Sequence, residues 1–170
     1  MTQGLTMFEI GVAPMRRSLL AMSALLAKAQ DDARRRGIDP AVLLGYRLAP
    51  DMYDLRRQVQ VLTNLAKGTV ARLTGGEAPR YDDADPDFAA LRARLARAVA
   101  YIDSFAPAAF AGTENRVIAN PLGGEPAQYS GRDYVLRVAL PNVYFHATAA
   151  YAILRHCGVP VGKRDFEGPV

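Results

Sequence analysis

Residues Ser130–Cys157 read SGRDYVLRVALPNVYFHATAAYAILRHC. Apolar positions recur along this stretch every three to four residues, the spacing of one face of an α-helix. The inward stripe predicted from it carries Val135, Val138, Asn142, His146, Ala149, Ile153 and His156. Ser130, followed three residues later by Asp133, has the form of a capping box and sets the helix start. Gly158 and Pro160 stop it. Pro141 lacks an N–H, so it kinks the helix and leaves the carbonyl of Arg137 without its helical donor. Two polar side chains, Asn142 and His146, interrupt the stripe one turn apart.

Working outward, three further segments supply faces for this helix to pack against. The first spans residues 5–36, with Phe8, Val12, Met15, Leu19, Met22, Leu26 and Ala29 as its seam and Gly37 as its stop. Pro14 either bends it or marks its beginning. The second starts at Pro50-Asp51, with Asp51 as N-cap and Asp54 in the first turn. Its seam is Leu55, Val59, Leu62, Ala66, Thr69 and Leu73, and Gly75-Gly76 ends it. Gln58 lies beside that seam and needs a partner, because an unpaired buried amide costs roughly 1–3 kcal/mol. Gln60 points away by the same wheel. The third segment spans residues 86–105 with the seam Phe88, Leu91, Leu95, Ala98, Ile102 and Phe105. Arg92, Arg94 and Arg97 lie off it and read as solvent-facing.

The connectors are less patterned. Asp39-Pro40-Ala41 starts a short turn of helix, and residues 77–87 form a polar loop. Arg116–Ala119 and Ala127–Tyr129 flank a Gly-Gly turn and read as a short hairpin, confined to an edge by Pro121 and Pro126. The tail from Val159 runs along the surface. The whole chain, residues 1–170, is read as one all-α domain. Its architecture is an up-down four-helix bundle with a short β-hairpin-like insertion before the last helix.

Composition narrows the function. Hydrophobic residues make up 50% and charged residues 22%, an ordinary globular balance that argues against disorder. The net charge of +4 is spread over segments where arginines alternate with acids, and Arg34-Arg35-Arg36 suits a helix C-terminus, so nucleic acid is not expected as a partner. No stretch is read as a membrane span or signal peptide. The single cysteine, Cys157, excludes an internal disulfide; at a helix C-terminus it reads as an inert thiol in a cytoplasmic protein. There is no phosphate-binding glycine loop, serine elbow or tight acidic motif.

Bundles hold their sites between facing helices. Asn142 and His146, at i and i+4, project about 6 Å apart from one face, and Gln58 on another helix completes a polar triangle. These three are the ligand-binding candidates. His146 is the one imidazole among them and the metal-ligand candidate, with Asn142 and Gln58 beside it. The competing reading is that the three satisfy one another inside the core. His156, roughly 15 Å further along the axis, cannot share an ion with His146 and reads as a cation near a helix end.

Several runs carry a family likeness: Leu48-Ala49-Pro50-Asp51-Met52 leading into Arg57-Gln58-Val59-Gln60, then Leu140 to His146, Ala150 to His156, and Gly158 to Phe166. With these the chain resembles the DinB/YfiT-like superfamily of four-helix bundles, in a bacterial branch known only as a domain of unknown function. The resemblance implies a divalent ion, nickel or zinc, held by one His of the second helix and a His-x-x-x-His pair of the last. It also implies metal-assisted thiol transfer or isomerisation, and a homodimer. The ligand positions fall on Gln58, Asn142 and His146, and only His146 keeps the imidazole. Three functions follow: a small-molecule-binding bundle with a degenerate metal site, a metal-dependent thiol transferase or hydrolase, and a structural homodimer without catalysis. The first is carried forward as the leading expectation.

Overall fold

Helix α1 (Ala13–Arg36) follows a π-helical turn, Phe8–Val12, in a computed structural model that describes residues 4–120 and 127–168. After α1 come α2 (Pro40–Leu44), α3 (Leu55–Thr74) and α4 (Phe88–Asp103). Strands β1 (Val117–Asn120) and β2 (Ala127–Ser130) pair antiparallel, with Val117 opposite Ser130 and Asn120 opposite Ala127. The turn expected between them, with Pro121 and Pro126, lies outside the described residues. The last rod is α5 (Gly131–Tyr134), a π-helical turn (Val135–Ala139) and α6 (Leu140–His156), followed by α7 (Lys163–Glu167).

The four long helices form the bundle. Helix α1 packs on α4 and α6, α3 packs on α6 and α4, and α1 meets α3 mainly across the diagonal. The caps explain where helices begin. Ser130 Oγ accepts from the Asp133 amide at 3.1 Å, as the Ser–Asp spacing predicts. Asp87 accepts from Ala90 N at 2.8 Å and Asp39 from Ala41 N at 2.9 Å. The cap of α3 is Asp54, accepting from Arg57 N at 2.8 Å, and not Asp51. The sequence predicts Asp51 at the cap and Asp54 inside the first turn; the carboxylate followed directly by the apolar seam takes the role.

The seams converge on one core. Met15, Leu19, Met22, Leu25 and Leu26 of α1 are at most 1% exposed. By length and composition the helix Phe8–Arg36 is long and apolar enough to cross a membrane, contrary to the sequence expectation of no such stretch. Its apolar stripe faces α4 and α6. Two glycines permit close approach. A Cβ on Gly11 would stand 2.8 Å from Val135 Cγ1, and one on Gly131 would stand 2.0 Å from the Thr113 carbonyl oxygen. The tail is not a bare surface strand. Val159 and Val161 are buried, and α7 is tied to α1 by Lys28 Nζ–Asp165 Oδ1 at 2.5 Å. At the other end of α1, Arg35 and Arg36 pair with buried Asp32, and Arg36 donates to the Cys157 carbonyl at 3.0 Å.

Two expectations about polar faces are overturned. Arg94 is not solvent-facing: it is 0% exposed, and its Nε donates to Asp85 Oδ2 at 2.8 Å. Its Nη2 donates to Asp83 Oδ1 at 2.7 Å and to the Asp82 carbonyl at 2.5 Å. Gln60 does not point away either; it is buried, and its Nε2 donates to Asp85 Oδ2 and the Asp83 carbonyl, both at 2.9 Å. A helical wheel ranks faces against other helices only. Here the loop of residues 77–87 folds back over α3 and α4 and supplies the acceptors. Removing one partner of a buried ion pair leaves the other charge unanswered, at a cost of about 3–5 kcal/mol. Asp85→Ala is therefore expected to lower unfolding free energy by about that amount in urea titrations. Adding Arg94→Met to it should recover much of the loss.

Candidate functional site

The start of α3 builds the site. Asp54 caps the helix, so the Tyr53 carbonyl sits just outside its first turn. Gln58 Nε2 donates to that carbonyl at 3.1 Å. A carbonyl only accepts, so the amide orientation is fixed and Oε1 faces the other way, toward α6. There it lies 2.7 Å from His146 Nδ1. An amide oxygen has no proton to give, so Nδ1 must carry the hydrogen. In the neutral ring the lone pair is then on Nε2, for which no hydrogen-bond partner is found among the described residues.

Burial lowers the pKa of His146 from the ordinary value of 6.5, because desolvation disfavours the imidazolium. The ring is 9% exposed and lies between two aromatic side chains. Tyr53 stacks on it with centroids 6.3 Å apart and planes at 21°; Phe145 meets it edge-on at 5.2 Å and 89°. Both flanking rings are more than half exposed, at 51% and 58%. Arg57 lies 5.8 Å over the Tyr53 ring and binds Asp83 at 2.6 Å, which joins the site to the buried Arg94 cluster. Tyr53 was missed in the sequence because the N-cap was expected at Asp51, which hid it inside a helix. An aromatic immediately before a capping aspartate was the available signal.

The expected triangle resolves into a pair and a separate amide. Gln58 and His146 meet, whereas Asn142 Nδ2 donates to the Val138 carbonyl at 2.7 Å. The π-helical turn Val135–Ala139 and Pro141 disturb the backbone ladder just here. The side-chain amide of Asn142 answers a carbonyl of that stretch, Val138 instead of the Arg137 carbonyl singled out by the proline argument. His156 is exposed, contrary to its place in the inward stripe. Its Nε2 lies 2.9 Å from the Tyr46 hydroxyl, with the rings 5.3 Å apart. Cys157 is half-buried, and burial pushes its thiol pKa up, which suits an inert thiol.

The donor set does not fit a divalent ion. Gln58 has both amide atoms engaged, the Asn142 nitrogen is engaged, and one imidazole nitrogen remains. Among the described residues no group of three or more His, Cys, Asp or Glu converges. Nickel and zinc favour several imidazoles, thiolates or carboxylates.

A family model described as "Domain of unknown function (DUF1993)" matches residues 7–167. The chain belongs to the DUF1993 family. It is also similar to a DinB family member protein from Shewanella denitrificans whose crystal structure has been solved: TM-score 0.89, 38% identity, covering 96% of this chain and 93% of that one. No curated protein matches. The DinB-like bundle expected from the last helix is thus the fold of this DUF1993 member.

The lowered pKa has a sign that can be tested. The folded-state pKa of His146 lies below the unfolded value of 6.5, so the unfolded chain binds the proton first. Stability is full above about pH 6.5 and falls as pH descends from there toward the folded-state pKa. His146→Gln should flatten this part of a pH series of chemical denaturation. Nitrogen-15 NMR of the native protein at pH 7.5 should report the Nδ1–H tautomer; an Nε2–H signal for His146 would contradict the Gln58 geometry.

Proposed function

We propose that this DUF1993 member is a small-molecule-binding bundle built on a degenerate DinB metal site, with His146 Nε2 as the contact atom. The observation that supports this is the locked pair. Gln58, held by the Tyr53 carbonyl, orients the His146 ring and leaves its second nitrogen open as an acceptor, while burial favours the neutral form. A ligand suited to this position carries an N–H or O–H donor and a flat apolar body that lies against Tyr53 and Phe145. Gln58 acts as a positioning residue, and Asn142, one turn away, borders the same face. Metal-dependent thiol transfer or hydrolysis is less well supported, because a single imidazole leaves most coordination positions to water.

Pairing belongs to the same proposal. Tyr53 and Phe145, which flank His146, are each more than half exposed, an apolar pair that a second copy would cover, as the resemblance to dimeric bundles implies. A partner seated there would close the shallow position over His146. The single half-buried Cys157 suits a reducing, cytoplasmic setting.

The test begins with protein purified without a metal-affinity column. Elemental analysis and calorimetric titration with zinc and nickel are expected to show no stoichiometric metal. A thermal-shift screen of small metabolites should yield stabilising compounds whose effect disappears in His146→Ala and weakens in Gln58→Leu. Stoichiometric metal lost in His146→Ala would sink the degenerate-site reading and favour the enzyme. Sedimentation velocity should show a dimer that Phe145→Glu dissociates.

A further inference from the structure

A cavity of about 530 Å³ lies between α1, α6 and α7. Tyr144 and Ala147 of α6 line it; Gln58, Asn142 and His146 do not. This is within the size range of small-molecule sites, roughly 300–1,000 Å³. Its floor is apolar, with Met22, Leu25 and Ala147 at most 2% exposed. Its outer wall is α7, whose Phe166 packs on Tyr151 with centroids 5.5 Å apart and whose Asp165 is bonded to Lys28 of α1. The wall is therefore fixed in place before any ligand arrives.

The rim carries charges of both signs that do not neutralise one another. Arg17 has no ion-pair partner among the described residues, whereas its neighbour Arg16 holds Asp103 through two bonds of 2.6 and 2.8 Å. Glu9 has Oε2 occupied by the Thr6 amide and hydroxyl, both at 2.8 Å, which keeps the carboxylate ionised and leaves Oε1 open. Glu167 stands on the same rim, 3.4 Å from Lys163 Nζ.

We propose that this cavity binds a small zwitterion with an apolar side chain, a free α-amino acid or a dipeptide. The guanidinium of Arg17 takes the carboxylate in a two-pronged bond. The ammonium group lies toward Glu9 and Glu167, and the side chain fills the apolar floor. A simple anion would satisfy Arg17 but meet two carboxylates, and a simple cation would meet Arg17. An uncharged apolar molecule would cover these charged groups without pairing them, which is costly. The inference stands apart from the His146 position and does not need it.

The test is isothermal calorimetry with L-leucine, L-phenylalanine and L-leucylglycine, repeated with N-acetyl-L-leucine and L-leucine methyl ester. The zwitterions are expected to bind, and the acetylated and esterified forms to bind at least about tenfold more weakly, since each lacks one of the two charges. Arg17→Ala should lose about as much for L-leucine, with Arg17→Lys recovering part of it. Arg17 is exposed, so its variants should keep the wild-type thermal midpoint, which is measured alongside. No binding of the three zwitterions at millimolar concentration would overturn the proposal. Equal binding by Arg17→Ala would do so as well.

Discussion

A guanidinium with no exposed surface must be answered by acceptors, and in this bundle that demand organises one whole side. Arg94 lies inside α4 and gathers Asp85, Asp83 and the Asp82 carbonyl around itself. The loop that carries them is thereby drawn over α3, where Gln60 donates to Asp85 and to the Asp83 carbonyl. Asp83 also holds Arg57, and Arg57 lies over Tyr53, the residue whose carbonyl orients Gln58. The geometry at His146 is thus continuous with a buried charge cluster on a neighbouring helix. A charge so enclosed adds little to net stability compared with an apolar core, but it tolerates few alternative arrangements of the loop.

The second constraint is the last helical rod. It contains a π-helical turn that runs straight into α6, and Pro141, one residue further on, has no N–H to give the ladder. The disturbed ladder engages Asn142, whose side chain serves the backbone. That local need separates this chain from a bundle whose last helix presents two ligands to one ion. One polar residue of the pair is spent on Val138, and the other faces Gln58.

The two sides of α6 differ in chemistry as a result. Toward α3 stands a neutral, oriented imidazole between exposed aromatics. Toward α1 stands an apolar cavity rimmed by Arg17, Glu9 and Glu167. Adjacent positions on one helix, Phe145–His146 and Tyr144, Ala147, serve different neighbours because the period of 3.6 residues turns them through different faces.

Seams, stops and most caps were legible in the sequence, since periodicity, Gly37, Gly75, Asp39 and the Ser130–Asp133 spacing act through bonds between residues close in the chain. The hairpin was legible for the same reason, and Gln58 and His146 stood out as polar groups on otherwise apolar seams, which the structure brings into contact. The burial of Arg94 and Gln60 was not legible, nor were the turning aside of Asn142, the exposure of His156 and the docking of α7. Each depends on a segment distant in sequence, or on a backbone ladder whose defect appears only once the helix is built. By itself the sequence determined a DinB-like bundle and named its polar positions. Only the tertiary structure decided which of them meet, because hydrogen-bond partners are chosen by what the connecting loops and the last helix bring within about 3 Å.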